Sequence, residues 1–127
     1  MITPKFWDEL VLRRYRSEWR LAHEFRFDSA VMGCRIVVDE GFVTDLASVP
    51  RFPFAYWLAG GSAEAAAVLH DWMYRMKLQP REKCDALFLE AMRTDGSNVN
   101  IPAEPYWRSS LMWAAVRVGG WLSWGRE

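Results

Sequence analysis

The chain has 127 residues, of which 51% are apolar, and its 16 basic and 16 acidic side chains balance. This length fits one compact domain with its own core, and the apolar share excludes a disordered chain. The balanced charge gives no general electrostatic attraction to nucleic acid or to an anionic membrane, so a nucleic-acid partner is not expected.

Residues 1–43 are expected to form a small antiparallel sheet of about three strands. The first strand is placed at 9–16, and the third at 32–38 before a turn. The second, at 19–27, alternates apolar and polar residues most clearly. His23 falls on its apolar face, where a core or rim histidine is favoured over a ligand.

Residues 44–61 are expected to be a loop, because Pro50 and Pro53 forbid a regular helix. Asp45 has two interpretations: its carboxylate forms a turn or helix cap, or it is a metal ligand directed at the next helix. The loop is rich in aromatic side chains, which are candidates for a pocket wall or a surface for lipid or protein: Phe52, Phe54, Tyr56 and Trp57.

Two helices at 62–77 and 81–93 should form an antiparallel hairpin, because only three residues connect them. His70 and Tyr74 are four residues apart and share a face, whereas Asp71 points about 100° away from His70. On such a hairpin Asp85 of the second helix falls about one turn from His70 and at least as close to Tyr74. The pattern therefore predicts an imidazole, a phenol and a carboxylate in one cluster.

A third helix at 105–123 is apolar on two sides. One side must meet the core, and the other is expected to meet a partner subunit, a membrane interface or the N-terminal segment. Trp113, Trp121 and Trp124 are therefore candidates for a partner or self-association surface. A membrane span is not expected, because the apolar run is only about sixteen residues long and carries Arg117. The whole pattern predicts an α+β fold, with the sheet covered by the hairpin and the third helix.

Two motifs, GFVTDLASVPR at 41–51 and AVLHDWMY at 67–74, resemble a small phage- and prophage-associated family of unknown function. This resemblance covers most of the chain. It implies a phage- or prophage-encoded protein, with phage structural proteins as partners and incorporation into a phage particle.

The HDxxY pattern at 70–74, followed by Asp-Ala-x-Phe on the next helix, is more distantly similar to secreted and parvoviral calcium-dependent phospholipases. That similarity implies that His70 activates water, that Asp85 orients His70, and that Tyr74 bonds to Asp85. It also implies Ca²⁺ bound by Asp71, a lipid-ester substrate, and a role in host entry or lysis. Residues 56–61 lie where those enzymes have their calcium loop, but they lack its Gly-x-Gly pattern.

The residues themselves leave two functional hypotheses open. A histidine held by a carboxylate from a neighbouring helix has the basicity and tautomer control of a general base, and the diverging Asp71 suits a hard cation. Serine-nucleophile and zinc chemistry are not expected, because Gly-x-Ser-x-Gly, His-Glu-x-x-His and Cys-x-x-Cys are all missing. The alternative is a non-catalytic virion, tail or baseplate protein in which the cluster is a structural polar network.

Compartment and redox state follow from the N-terminus and the cysteines. The first residues lack the basic-then-apolar layout of a signal peptide, so synthesis in the host cytoplasm is expected. Cys34 and Cys84 are too few for a disulfide scaffold. Two buried reduced thiols are favoured over one bridge between them.

Overall fold

The computed structural model describes residues 2–16, 18–44 and 61–124, without the side chains of 61–62 and 119–124. Within these ranges short strands come first and helices follow, which confirms the expected α+β class. The strands are β1 (Lys5–Phe6), β2 (Leu12–Tyr15), β3 (Glu18–Leu21), β4 (Phe25–Ser29), β5 (Cys34–Val38) and β6 (Val43–Thr44). The helices are α1 (Gly61–Met76), α2 (Arg81–Arg93), a 3-10 turn (Ser97–Val99) and α3 (Tyr106–Trp124).

The strands form two three-stranded antiparallel sheets, with strand orders β1-β4-β5 and β2-β3-β6. The single strand expected at 19–27 is wrong, because it divides into β3 and β4, which belong to different sheets. The Leu21 amide donates to the Phe42 carbonyl (3.0 Å) and the Ala22 amide to the Val11 carbonyl (2.9 Å). These bonds hold the end of β3 in its own sheet, and the chain then crosses to the other sheet.

Two side chains lie at the surface, although one was expected in the core or at its rim and the other was expected to be buried. His23 sits in the break between β3 and β4 and is exposed, with Nδ1 3.1 Å from the Glu24 carbonyl. Cys34 begins β5 and is exposed, so the expectation that both thiols are buried is wrong for this one. Cys84 is buried, and both thiols are free.

The core lies between the β1-β4-β5 sheet and the α1–α2 hairpin. Phe27 of β4 and Val38 of β5 are completely buried, and so is Leu69 of α1. The sheet side chains meet the helices because burial alternates along β4, with every second residue turned inward. This packing fixes α1 and α2 against one face of the sheet.

A carboxylate on α2 anchors the β4–β5 turn to the hairpin. Glu90 accepts a hydrogen bond from the Ser29 hydroxyl (2.6 Å) and from the amides of Ala30 (2.9 Å) and Val31 (3.0 Å). The turn amides, which lack strand partners, are thereby satisfied. The position of the sheet relative to α2 is therefore fixed by hydrogen bonds as well as by apolar packing.

Candidate functional site

The centre of the candidate site is Asp85, a completely buried carboxylate on α2. Its Oδ1 accepts a hydrogen bond from His70 Nε2 at 2.7 Å and another from the Tyr74 hydroxyl at 2.9 Å. His70 and Tyr74 reach the same oxygen because they are four residues apart on α1 and share the face that packs on α2. The structure thus brings together the three side chains that the sequence predicted to form a cluster.

The other oxygen of Asp85 is held by arginines that sequence reasoning missed. Arg117 of α3 donates from Nη1 to Asp85 Oδ2 at 2.8 Å, and Arg81 Nη1 lies 3.5 Å from the same oxygen. Arg81 also donates to the Arg117 carbonyl at 2.9 Å. The spacing of Arg81 four residues before Asp85 was a usable signal. Arg117, 32 residues away in sequence, gave none.

The protonation states of the cluster follow from these contacts. Burial alone would raise the pKa of Asp85, but hydrogen bonds from His70, Tyr74 and Arg117 outweigh it and hold the pKa below its ordinary value. Burial and the adjoining Asp85 charge raise the pKa of Tyr74, so the phenol stays a neutral donor. Since a carboxylate only accepts hydrogen bonds, the His70 proton that faces it must lie on Nε2.

The imidazole of His70 is held between aromatic rings. Its centroid lies 4.1 Å from that of Tyr74 and 5.2 Å from that of Phe88. The side chain of His70 is 14% exposed, so it is not completely shielded from solvent. With Nε2 protonated, the neutral ring carries its lone pair on Nδ1, the nitrogen that can take a proton from water.

Asp71, predicted as a metal ligand, lies away from this cluster and ties α1 to β6. It accepts from the Thr44 hydroxyl at 3.0 Å and pairs with Arg75 Nε at 3.2 Å. Arg75 in turn donates to the Val43 carbonyl at 2.7 Å. In the part of the chain that the structure describes, no group of three His, Cys, Asp or Glu side chains could hold a metal ion. Asp45, the second predicted ligand, lies outside the described residues.

The predicted aromatic surfaces are only partly described. Trp113 is half-buried. The structure does not describe the side chains of Trp121 and Trp124. The four loop aromatics lie outside the described residues: Phe52, Phe54, Tyr56 and Trp57. One of the two apolar sides of α3 is open, and three of its side chains are exposed: Trp107 (67%), Leu111 (46%) and Val118 (77%). Among the described helices, none has the length and apolarity needed to cross a bilayer.

Fold and site together define a small α+β protein whose helical hairpin carries a buried carboxylate bonded to an imidazole. The chain belongs to the family DUF1353, described as a protein of unknown function, which it matches over residues 19–116. The matched stretch contains His70, Tyr74, Arg81 and Asp85 and ends one residue before Arg117. No curated protein and no solved structure matches the chain.

Proposed function

We propose that the protein is an ester hydrolase in which His70 is the general base for an attacking water. The observation that carries this proposal is the 2.7 Å hydrogen bond from His70 Nε2 to the buried Asp85 carboxylate. This bond orients the ring and stabilises the imidazolium that forms when Nδ1 removes a proton from water. The hydroxide adds to the ester carbonyl, and the imidazolium then returns the proton to the departing alkoxide.

Tyr74 supports the pair by its position and by its high pKa. The Tyr74 hydroxyl donates to Asp85 Oδ1, the oxygen that also accepts from His70. This second bond keeps Asp85 ionised and limits rotation of the carboxylate. Its ring also packs against the imidazole, so one side chain restrains both members of the pair.

The substrate class and biological setting rest on the motif resemblances. The pattern HDxxY at 70–74 supports a lipid ester as substrate, and the motifs at 41–51 and 67–74 support a phage or prophage origin. A phage esterase of this kind would act in host entry or lysis.

Calcium fits the described residues poorly. The Asp71 carboxylate faces a hydroxyl and a guanidinium, and Arg75 would repel a cation bound there. The proposed reaction therefore has no step that passes through calcium, and any calcium dependence would appear as a difference between turnover with calcium and turnover with chelator.

A second candidate function is a non-catalytic component of a virion, tail or baseplate. The observation that favours it is that Asp85 receives donors from α1, α2 and α3, as a structural polar network would. The open stripe of Trp107, Leu111 and Val118 on α3 would then contact a phage structural protein or a second copy of the chain.

The two functions are separated by exchanging each of the two histidines in turn. Fatty-acid release from phosphatidylcholine–phosphatidylglycerol vesicles is measured with calcium and with chelator. His70→Ala should lower turnover by at least about 100-fold while the circular dichroism spectrum is retained. The matched control is His23→Ala, which removes an exposed histidine away from Asp85 and should leave turnover unchanged.

Three results would contradict the hydrolase proposal: no hydrolysis by the wild-type protein, full activity of His70→Ala, or unfolding of that variant. The last result would favour the structural network. Locating the protein in purified particles or in the soluble lysate then tests the virion alternative.

A further inference from the structure

Arg117 is held at two points, both by α2. Its guanidinium donates to Asp85 Oδ2 at 2.8 Å, while its own carbonyl accepts from Arg81 Nη1 at 2.9 Å. The side chain is 29% exposed, whereas the carboxylate that it meets is completely buried. The last turns of α3 are therefore connected directly to the carboxylate that holds His70.

We infer that Arg117 is a positioning residue that fixes the tautomer of His70 through Asp85. This inference rests on the hydrolase function proposed above. A carboxylate is planar, so its orientation is defined once both oxygens are bound. Oδ1 is bound by His70 and Tyr74, and Arg117 supplies the short contact to Oδ2.

Removal of Arg117 would leave Oδ2 buried, with the longer ion pair to Arg81 at 3.5 Å still in place. Leaving a buried oxygen without its charged donor costs folding free energy. The carboxylate can reduce this cost by rotating toward Arg81. Rotation lengthens the bond to His70 Nε2, and the preference for a proton on Nε2 weakens. A ring with its proton on Nδ1 cannot take a proton from water at that atom.

The inference predicts a specific kinetic pattern. Arg117 acts through Asp85 and not on the substrate, so its loss should lower kcat and leave KM unchanged. A merely structural contact between α2 and α3 would not alter the ring nitrogens of His70.

The chain offers a matched control for the same helix pair. Arg93 of α2 donates to the hydroxyls of Ser109 (3.0 Å) and Ser110 (2.7 Å) on α3. It joins the two helices as Arg117 does, but its hydrogen bonds go to these two serines and not to Asp85. Arg93→Met therefore removes an arginine bridge between α2 and α3 without touching the carboxylate.

The experiment compares Arg117→Met, Arg117→Lys and Arg93→Met with the wild-type protein. Nitrogen-15 spectra of the imidazole report which ring nitrogen is protonated, and the exposed His23 is the internal reference. The vesicle assay supplies kcat and KM. Wild type and Arg93→Met should show Nε2 protonated in neutral His70. Arg117→Met should show mixed tautomers and a kcat lowered at least about tenfold, which corresponds to about 1.4 kcal/mol. Arg117→Lys should restore the Nε2-protonated tautomer and the kcat of the wild type.

The inference is overturned if Arg117→Met keeps the ring signals and kcat of Arg93→Met. If Arg117→Met does not fold, Arg117→Gln replaces it, and unaltered ring signals in that variant overturn the inference equally. The nitrogen spectra do not depend on turnover. An inactive wild type would therefore remove the hydrolase proposal, while the spectra would still show whether Arg117 controls the imidazole.

Discussion

Replacing Asp85 with asparagine changes the chemistry of the cluster with almost no change in volume. The amide presents one acceptor and one donor where the carboxylate presents two acceptors. The oxygen should turn toward Arg117 and Arg81, because their positive charges disfavour an NH₂ group. The NH₂ group then faces His70 and Tyr74, and His70 must accept through Nε2 and carry its proton on Nδ1.

The cost in stability can be worked from the contacts that are lost. Asp85 is completely buried and loses its charge opposite Arg117, but a hydrogen bond from the charged guanidinium to the neutral amide oxygen remains. A hydrogen bond to a charged group contributes about 1.5–3 kcal/mol, and breaking a buried ion pair costs about 3–5 kcal/mol. We therefore expect Asp85→Asn to lower the free energy of unfolding by about 3 kcal/mol at pH 7.

The pH dependence provides an independent check. Because the pKa of Asp85 in the folded protein lies below its ordinary value, its ionisation stabilises the fold above the unfolded-state pKa of about 4. That contribution is lost as the pH falls through the folded-state pKa. Asp85→Asn has no such group, so its unfolding free energy should fall less on acidification than that of the wild type.

Urea unfolding between acid and neutral pH and nitrogen-15 spectra of His70 measure these effects. In serine proteases the equivalent exchange lowers kcat about 10⁴-fold by selecting the wrong tautomer, and a large loss is expected here as well. The reasoning is refuted if Asp85→Asn keeps Nε2 protonated, or if its stability changes with pH as the wild type does.

Three further exchanges test the contacts that hold the scaffold. Glu90→Gln places an NH₂ group against the donors of the β4–β5 turn and should cost about 1–2 kcal/mol in urea unfolding; an unchanged midpoint would show that the anchor contributes nothing. Gly96→Ala should cost about 1–3 kcal/mol, because its Cβ would lie 2.8 Å from Phe6 Cδ2; wild-type thermal stability would refute the close approach. Asp8→Asn should cost only about 1 kcal/mol near pH 7, because its bidentate partner Arg26 is partly exposed. The hydrogen bonds donated by Arg26 lower the pKa of Asp8. The stability cost of Asp8→Asn should therefore disappear as the pH falls through this lowered pKa.

The helical hairpin and its cluster could be predicted from the sequence because their rules are local. Helical spacing places His70 and Tyr74 on one face, and a short connection places Asp85 opposite them. The hydrogen bonds to Asp85 confirm this juxtaposition. The roles of these side chains in catalysis stay a proposal.

The features that the sequence did not predict depend on distant parts of the chain. The alternating pattern runs from Trp19 to Phe27 without a turn residue, yet β3 ends at Leu21. There the carbonyls of Phe42 and Val11 accept hydrogen bonds from the amides of Leu21 and Ala22. Periodicity along one strand carries no information on which strand will pair with it. Arg117 likewise reaches Asp85 only because α3 packs against α2, which nothing in its own segment encodes.

The shared carboxylate has a consequence for how this chain can diverge. Loss of Asp85 alone would leave the guanidinium groups of Arg81 and Arg117 facing each other without a counter-charge. An apolar residue at position 85 would be tolerated only if both arginines were exchanged as well. Substitutions within one such network of contacting residues change stability non-additively. We therefore expect positions 81, 85 and 117 to covary among related chains, so that the three are inherited as one unit.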